Sequence, residues 1–173
     1  MVNTMTRTPS YFLISDTHFD HANIIRYTDR PFPDVHVMNR TLIRNWNSVV
    51  GVGDRVFFLG DLTYGRNHKP VSYWLHRLNG RKTMIKGSHD DGVHHTVDNI
   101  VVDCHGIKFY LVHKPSEIPD EWKGWAIFGH IHQKGPFIDF QHKKINVSVE
   151  HINYIPINFN WIVHLIRKHE EPA

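Results

Sequence analysis

The stretch Tyr11-Phe12-Leu13-Ile14-Ser15-Asp16-Thr17-His18 is a short apolar run that ends on a polar tail. Four apolar residues without alternation read as a strand buried on both faces, as in a parallel sheet covered by other layers. The same pattern recurs down the chain. Residues 55–59 run into Gly60-Asp61, residues 82–86 into Gly87-Ser88-His89-Asp90, residues 107–112 into His113, and residues 125–128 into Gly129-His130-Ile131-His132. Ligands of α/β sheets gather beyond the carboxyl ends of strands, so five such endings predict one polar site along one sheet edge.

Helical stretches separate the early strands. Asp34 is expected to cap a helix that reaches residue 50, with Val37, Leu42, Ile43 and Trp46 on its apolar face. A second helix is predicted over residues 71–78, stopped by Asn79-Gly80, and a last one over residues 159–168, opened by Asn158. After residue 100 strand signals dominate, at residues 100–103, 107–112, 125–128, 137–140 and 145–149. Alternating β and α followed by mostly β predicts an α/β sandwich with parallel and antiparallel parts. Trp74, Trp122, Trp125 and Trp161 are expected in the core.

The bulk composition fits one domain over residues 1–173, with 40% hydrophobic and 21% charged residues. One cysteine, Cys104, permits no internal disulfide, and the apolar run at residues 11–14 is too short for a signal peptide or a membrane span. A cytoplasmic protein with no membrane partner is expected. A charge of +3 with histidine neutral, carried by scattered Lys and Arg, predicts mild attraction to anions and not the stripe of a dedicated nucleic-acid binder. The unusual number is 16 histidines, because imidazole is the commonest side-chain metal ligand.

Asp16 and His18, and likewise His130 and His132, are spaced i, i+2, which in extended backbone puts both side chains on one face. With Asp61, which follows the turn-making Gly60, and His113, they make two carboxylates and four imidazoles. An all-nitrogen-and-oxygen set of this kind suits Mn, Fe, Co, Ni or Zn and argues against a thiolate site. The order Asp-x-His, Gly-Asp, Gly-x-His-Asp, His, Gly-His-x-His, over residues 12–132, resembles the calcineurin-like metallophosphoesterase superfamily.

The resemblance implies a four-layer α-β-β-α sandwich with mixed sheets and two divalent metal ions at one edge, manganese being the first expectation. Carried over by position, Asp16, His18 and His132 hold the first ion, His113 and His130 the second, and Asp61 bridges them. It further implies hydrolysis of phosphodiesters by a hydroxide shared between the ions. His89 would protonate the leaving oxygen and Asp90 would orient His89. A compact chain of this type is expected to have an open site, admitting cyclic nucleotides or nucleic-acid ends. Ser88 stands where the family pattern has an asparagine ligand, so weaker occupancy of the second position and reduced activity are expected. The alternative is a weakened or inactive relative that serves as a metal-binding or scaffold module.

Just past the first motif, His21, Asn23 and Arg26 are candidate substrate contacts, while Asp20 or Asn23 equally suits a cap for a short helix at residues 24–27. His68, His94 and His95 are weaker candidates for the cleft wall, with solvated or capping roles as the plainer reading.

Overall fold

The computed structural model describes residues 8–90 and 96–171. Along the chain run β1 (Tyr11–Ile14), α1 (Ile24–Tyr27), α2 (Val35–Val49), β2 (Arg55–Phe58), α3 (Val71–Leu75), β3 (Arg81–Ile85) and β4 (Thr96–Val97). There follow β5 (Asn99–Cys104), β6 (Ile107–Val112), β7 (Trp125–Phe128), β8 (Ile138–Asp139), β9 (Lys144–Asn146), β10 (Ile157–Asn158) and α4 (Phe159–Glu170). One sheet has the order β10-β1-β2-β3-β4 and the other β5-β6-β7-β9-β8. In the first, β1 to β4 are parallel and β10 is antiparallel at the edge. In the second, β6, β7 and β9 are parallel between antiparallel β5 and β8. The fold is therefore the mixed α/β sandwich that the strand pattern predicts.

Alternation along β1 divides the core. Phe12 and Ile14 pack with Met38, Leu42 and Trp46 of α2 and with Trp74 of α3 on the outer face of the first sheet. Leu13 packs with Phe109, Leu111, Ile127 and Ile145 between the two sheets, where α4 adds Phe159, Ile162, Val163 and Ile166. Residues 38, 42 and 46 lie one turn apart, so one stripe of α2 is buried. Asp34 caps that helix by accepting a hydrogen bond from the Val37 amide at 2.8 Å. Beyond the second sheet the outermost layer is thin. Tyr110, Val112, Ala126 and Phe128 are covered by Ile118 and Trp122, which follow a single 3-10 turn at Pro115–Glu117.

Some expectations shift. α3 stops at Leu75, three residues early, and β4 and β10, two residues each, carry no sequence signal. Trp161 is 47% exposed and not in the core, because it lies on the side of α4 away from Phe159, Ile162 and Ile166. Asn23 occupies the cap position of α1 without capping it, since its side chain takes a bond from Arg26 instead. No helix among the described residues is long and apolar enough to cross a membrane.

For the site, direction matters most. β1, β2 and β3 end at one edge of their sheet and β6, β7 and β9 at one edge of theirs. A parallel bridge between Ser15 and Ser148, just past β1 and β9, joins those two edges.

Candidate metal centre

Asp16-x-His18, Gly60-Asp61 and His130-x-His132 leave their strands through tight turns, and not in the extended backbone that the i, i+2 spacing of the first and last predicts. Asp16, His18, Asp61, His130 and His132 have φ of 59°, 49°, 59°, 70° and 50°. Left-handed backbone costs a residue with a side chain about 1–2 kcal/mol, so five at one edge amount to strain held by their surroundings. Hydrogen bonds hold it: the amides of Asp16 and His18 donate to the carbonyls of Gly60 and Asp61 at 3.0 and 3.1 Å. The His130 amide donates to Asp16 Oδ2 at 2.9 Å. Two glycines make room. A β-carbon on Gly60, φ 93°, would lie 2.6 Å from both Gly87 Cα and His113 Nδ1. One on Gly129 would collide with the side chains of Ser15 and Asp16.

The turns gather six side chains into two groups. Asp16, His18 and His132 form one, and Asp61, His113 and His130 the other, each with its donor atoms within 4.8 Å of one another. Asp61 stands between them, its Oδ2 lying 3.5 Å from His18 Nε2 and 3.5 Å from His113 Nε2. Its Oδ1 accepts the His89 amide at 2.8 Å. Buried polar atoms normally have partners, yet Asp16 Oδ1, His18 Nε2 and His113 Nε2 are buried with no hydrogen-bond partner. Unpartnered carboxylate and imidazole lone pairs converging from three residues fit divalent cations of the N/O-ligated kind.

The electrostatics point the same way. Burial pushes the His18 imidazole far below its ordinary value, which keeps it neutral, and raises the Asp16 carboxyl. Burial opposes the shift of His113, but the negative carboxylates of Asp61, 3.5 Å away, and Asp16 carry it up to about 9. Burial likewise opposes the shift of Asp61, whose carboxyl is nonetheless lowered by His113 and His18. Two carboxylates in so small a volume draw positive charge from an imidazole proton, a role a cation fills more directly.

Further side chains complete the surroundings without belonging to any motif. The Ser148 hydroxyl lies 2.9 Å from Asp16 Oδ2, and Asn146 Nδ2 donates to the His132 carbonyl at 2.7 Å. Arg30 and Glu150 meet beneath the first group, and Glu150 Oε1 accepts from His132 Nδ1 at 3.0 Å. The strand-ending pattern of the first five motifs extends to Val149-Glu150, and it flags Glu150. Arg30, in a loop, has no such signal.

The remaining predicted residues fall in different places. Ser88 is half-buried beside the second group, its Oγ 3.4 Å from His130 Nδ1. His89 is exposed on the rim, its ring centroid 5.6 Å from that of His18 and 4.0 Å from that of Tyr64. Asp90 does not orient His89. It is buried, and its carboxylate accepts the amides of Asp61, Gly87 and Leu62 at 2.9, 2.9 and 3.2 Å, which fixes the Asp61 turn. His21 sits beside the first group, its ring 5.4 Å from His18 and 4.9 Å from Tyr64. Asn23 and Arg26 are exposed and bonded to each other at 3.1 Å, and Arg30 is the arginine that reaches the centre. His68 is exposed against the Lys69 carbonyl, and His94 and His95 lie outside the described residues.

Two clefts flank the centre. One, of about 300 Å³, lies against Ser88 and His113 and is walled by Lys86, Asp98, Lys114 and Glu117. The other, of about 320 Å³, lies against His130 and His132 and is walled by Ile24, Tyr27, Ile131 and Lys134.

No family model matches the chain. Over 78 residues, 44% of this chain and 37% of the relative, it is 35% identical to the Gene 66 protein of Mycobacterium phage L5. Among solved structures, the protein of unknown function AQ665 from Aquifex aeolicus matches with a TM-score of 0.73 at 26% identity. That match covers 92% of this chain and all of the other. The uncharacterized protein MJ1445 of Methanocaldococcus jannaschii is 48% identical over 163 residues, 91% of each chain, and the chain belongs to the family of MJ1445.

Proposed function

We propose that the chain is a dinuclear metal-dependent phosphodiesterase. The observation that carries this reading is the pair of Asp/His groups sharing Asp61, with buried and unpartnered lone pairs aimed between them. Asp16, His18 and His132 would hold one divalent ion, His113 and His130 the other, and Asp61 would contact both. Ions so held would acidify a water and offset charge on the transferring phosphoryl group.

The chain's own groups do the rest. The His89 imidazole, exposed beside His18 and steadied by Tyr64, delivers a proton to the leaving oxygen. Asp90 keeps the Asp61 turn in place through three amides. The two clefts give each substituent of a diester its own side of the centre, which favours diesters over monoesters. The apolar and aromatic wall by Tyr27 suits a nucleoside or aryl substituent, and the wall by Lys86 and Lys114 a polar one.

Ser88 favours a second ion held less firmly than the first, because its neutral hydroxyl replaces an amide oxygen and Oγ touches only the edge of His130. The test is metal content per chain after incubation with manganese, paired with hydrolysis of an aryl phosphodiester. Two ions and turnover are expected in the wild type, and neither full content nor turnover in Asp61→Asn. Ser88→Asn is expected to tighten the second ion and raise turnover. Full metal content without turnover in both the wild type and Ser88→Asn would replace this reading with a metal-binding scaffold.

A further inference from the structure

We propose that Glu150, clamped by Arg30, is the positioning residue of the first group: it fixes the His132 tautomer and ties the Asp16–His18 turn to it. This rests on the reading of Asp16, His18 and His132 as metal ligands.

The argument starts from burial. The Arg30 and Glu150 side chains are 0% and 5% exposed, and burying two charges is costly unless geometry repays it. Here the geometry is directed at one place. Arg30 Nε and Nη2 donate to Glu150 Oε1 at 3.0 and 2.8 Å. Nη1 donates to the Thr17 carbonyl at 2.9 Å and Nη2 to the Asp16 carbonyl at 2.8 Å. The guanidinium therefore grips the backbone of the very turn whose left-handed residues carry Asp16 and His18. Glu150 Oε1 also accepts from His132 Nδ1 at 3.0 Å.

A carboxylate only accepts, so that bond puts the ring proton on Nδ1 and leaves the Nε2 lone pair for a cation. In the second group Asp90 holds the Asp61 turn, but among the described residues no carboxylate accepts from the Nδ1 of His113 or His130. His113 Nδ1 bonds the Leu59 carbonyl at 2.7 Å, while the His130 ring meets the Ser88 hydroxyl at 3.4 Å. One ion pair thus orders the three ligands of the first group from both sheets at once, and the first group is the tighter one.

Calorimetric titration of the metal-free protein with manganese tests this on Glu150→Gln and on the double variant R30M/E150L. The double variant removes both charges, so no unpaired buried charge can unfold it. Outer-sphere partners of ligating histidines contribute about tenfold to a hundredfold in metal affinity. That loss is expected for the first ion, with the second ion binding as in the wild type. Nitrogen-15 NMR of metal-free protein should report protonated Nδ1 on His132 in the wild type and a changed tautomer balance in R30M/E150L. A wild type that binds no divalent ion would overturn the metal reading itself. A wild type that binds two, beside folded variants with unchanged first-ion affinity and His132 tautomer, would overturn the clamp alone.

Discussion

At the rim of the centre two imidazoles, His21 and His89, both pack on Tyr64, and their surroundings divide their chemistry. Burial first, and then the charges of His89, Arg30 and His132, bring His21 down to about 4, so at neutral pH it accepts or shares a hydrogen bond and carries no acidic proton. His89 stands exposed, its ring beside those of His18 and Tyr64 on the open side of the centre. General acid catalysis is worth about 10² to 10⁴ in rate and matters most for poor leaving groups. His89→Gln is therefore expected to slow cleavage of an alkyl diester by that range and to affect an activated aryl diester far less. Equal losses on both substrates would remove His89 from the proton-delivery role. At this scale the ligand-type residues were legible because each sits in a short motif after a strand. Ser148 and Tyr64 carry no such signal, since a lone polar residue has no spacing to read, and Glu150 has only its place after the last strand signal. Adjacency pairs Asp90 with His89, and sequence does not reveal that three amides face its carboxylate.

Strand endings rather than whole strands determine how the elements build the centre. Apolar runs marked β1, β2, β6 and β7 closely because burial on both faces leaves no polar interruption. β4 and β10 were invisible because two residues make no pattern, and β10 exists only through its pairing with β1. The i, i+2 spacing predicts extended backbone beyond the strands, and the structure has left-handed turns there. Those turns depend on contacts from the other sheet, such as the His130 amide on Asp16, which no local sequence shows. Gly60 exposes that dependence. Alanine there meets both a φ of 93° and the Gly87 backbone, and the φ alone costs about 1–2 kcal/mol. Because the clash falls on His113 and the Gly87 loop, Gly60→Ala should lose metal uptake beyond what its loss in chemical denaturation implies. Wild-type metal affinity in a folded Gly60→Ala chain would mean that the turn tolerates a side chain and that Gly60 is not what shapes it.

The whole molecule is two sheets that share one edge, and each candidate ion would take ligands from both. Asp16 and His18 come from the first sheet and His132 from the second; Asp61 comes from the first and His113 and His130 from the second. An ion in either group would therefore act as a staple between the layers, in addition to the Ser15–Ser148 bridge and the Arg30–Glu150 pair. Binding to the folded chain alone stabilises it by about 2.7 kcal/mol at a hundred times the dissociation constant. Manganese should accordingly raise the melting temperature and a chelator should reverse the rise. The sign with pH follows from His113. Its folded value of about 9 lies above the ordinary 6.5, so in the metal-free chain its proton contributes stability that is fully present below 6.5 and lost as pH climbs through about 9. An ion must displace that proton to use Nε2, so the gain on adding manganese should grow between pH 6.5 and 9. Melting curves with and without manganese across that range decide the matter. A gain that is flat with pH would place the bound ion away from His113, and no gain at all would leave the two sheets held together by their protein contacts alone.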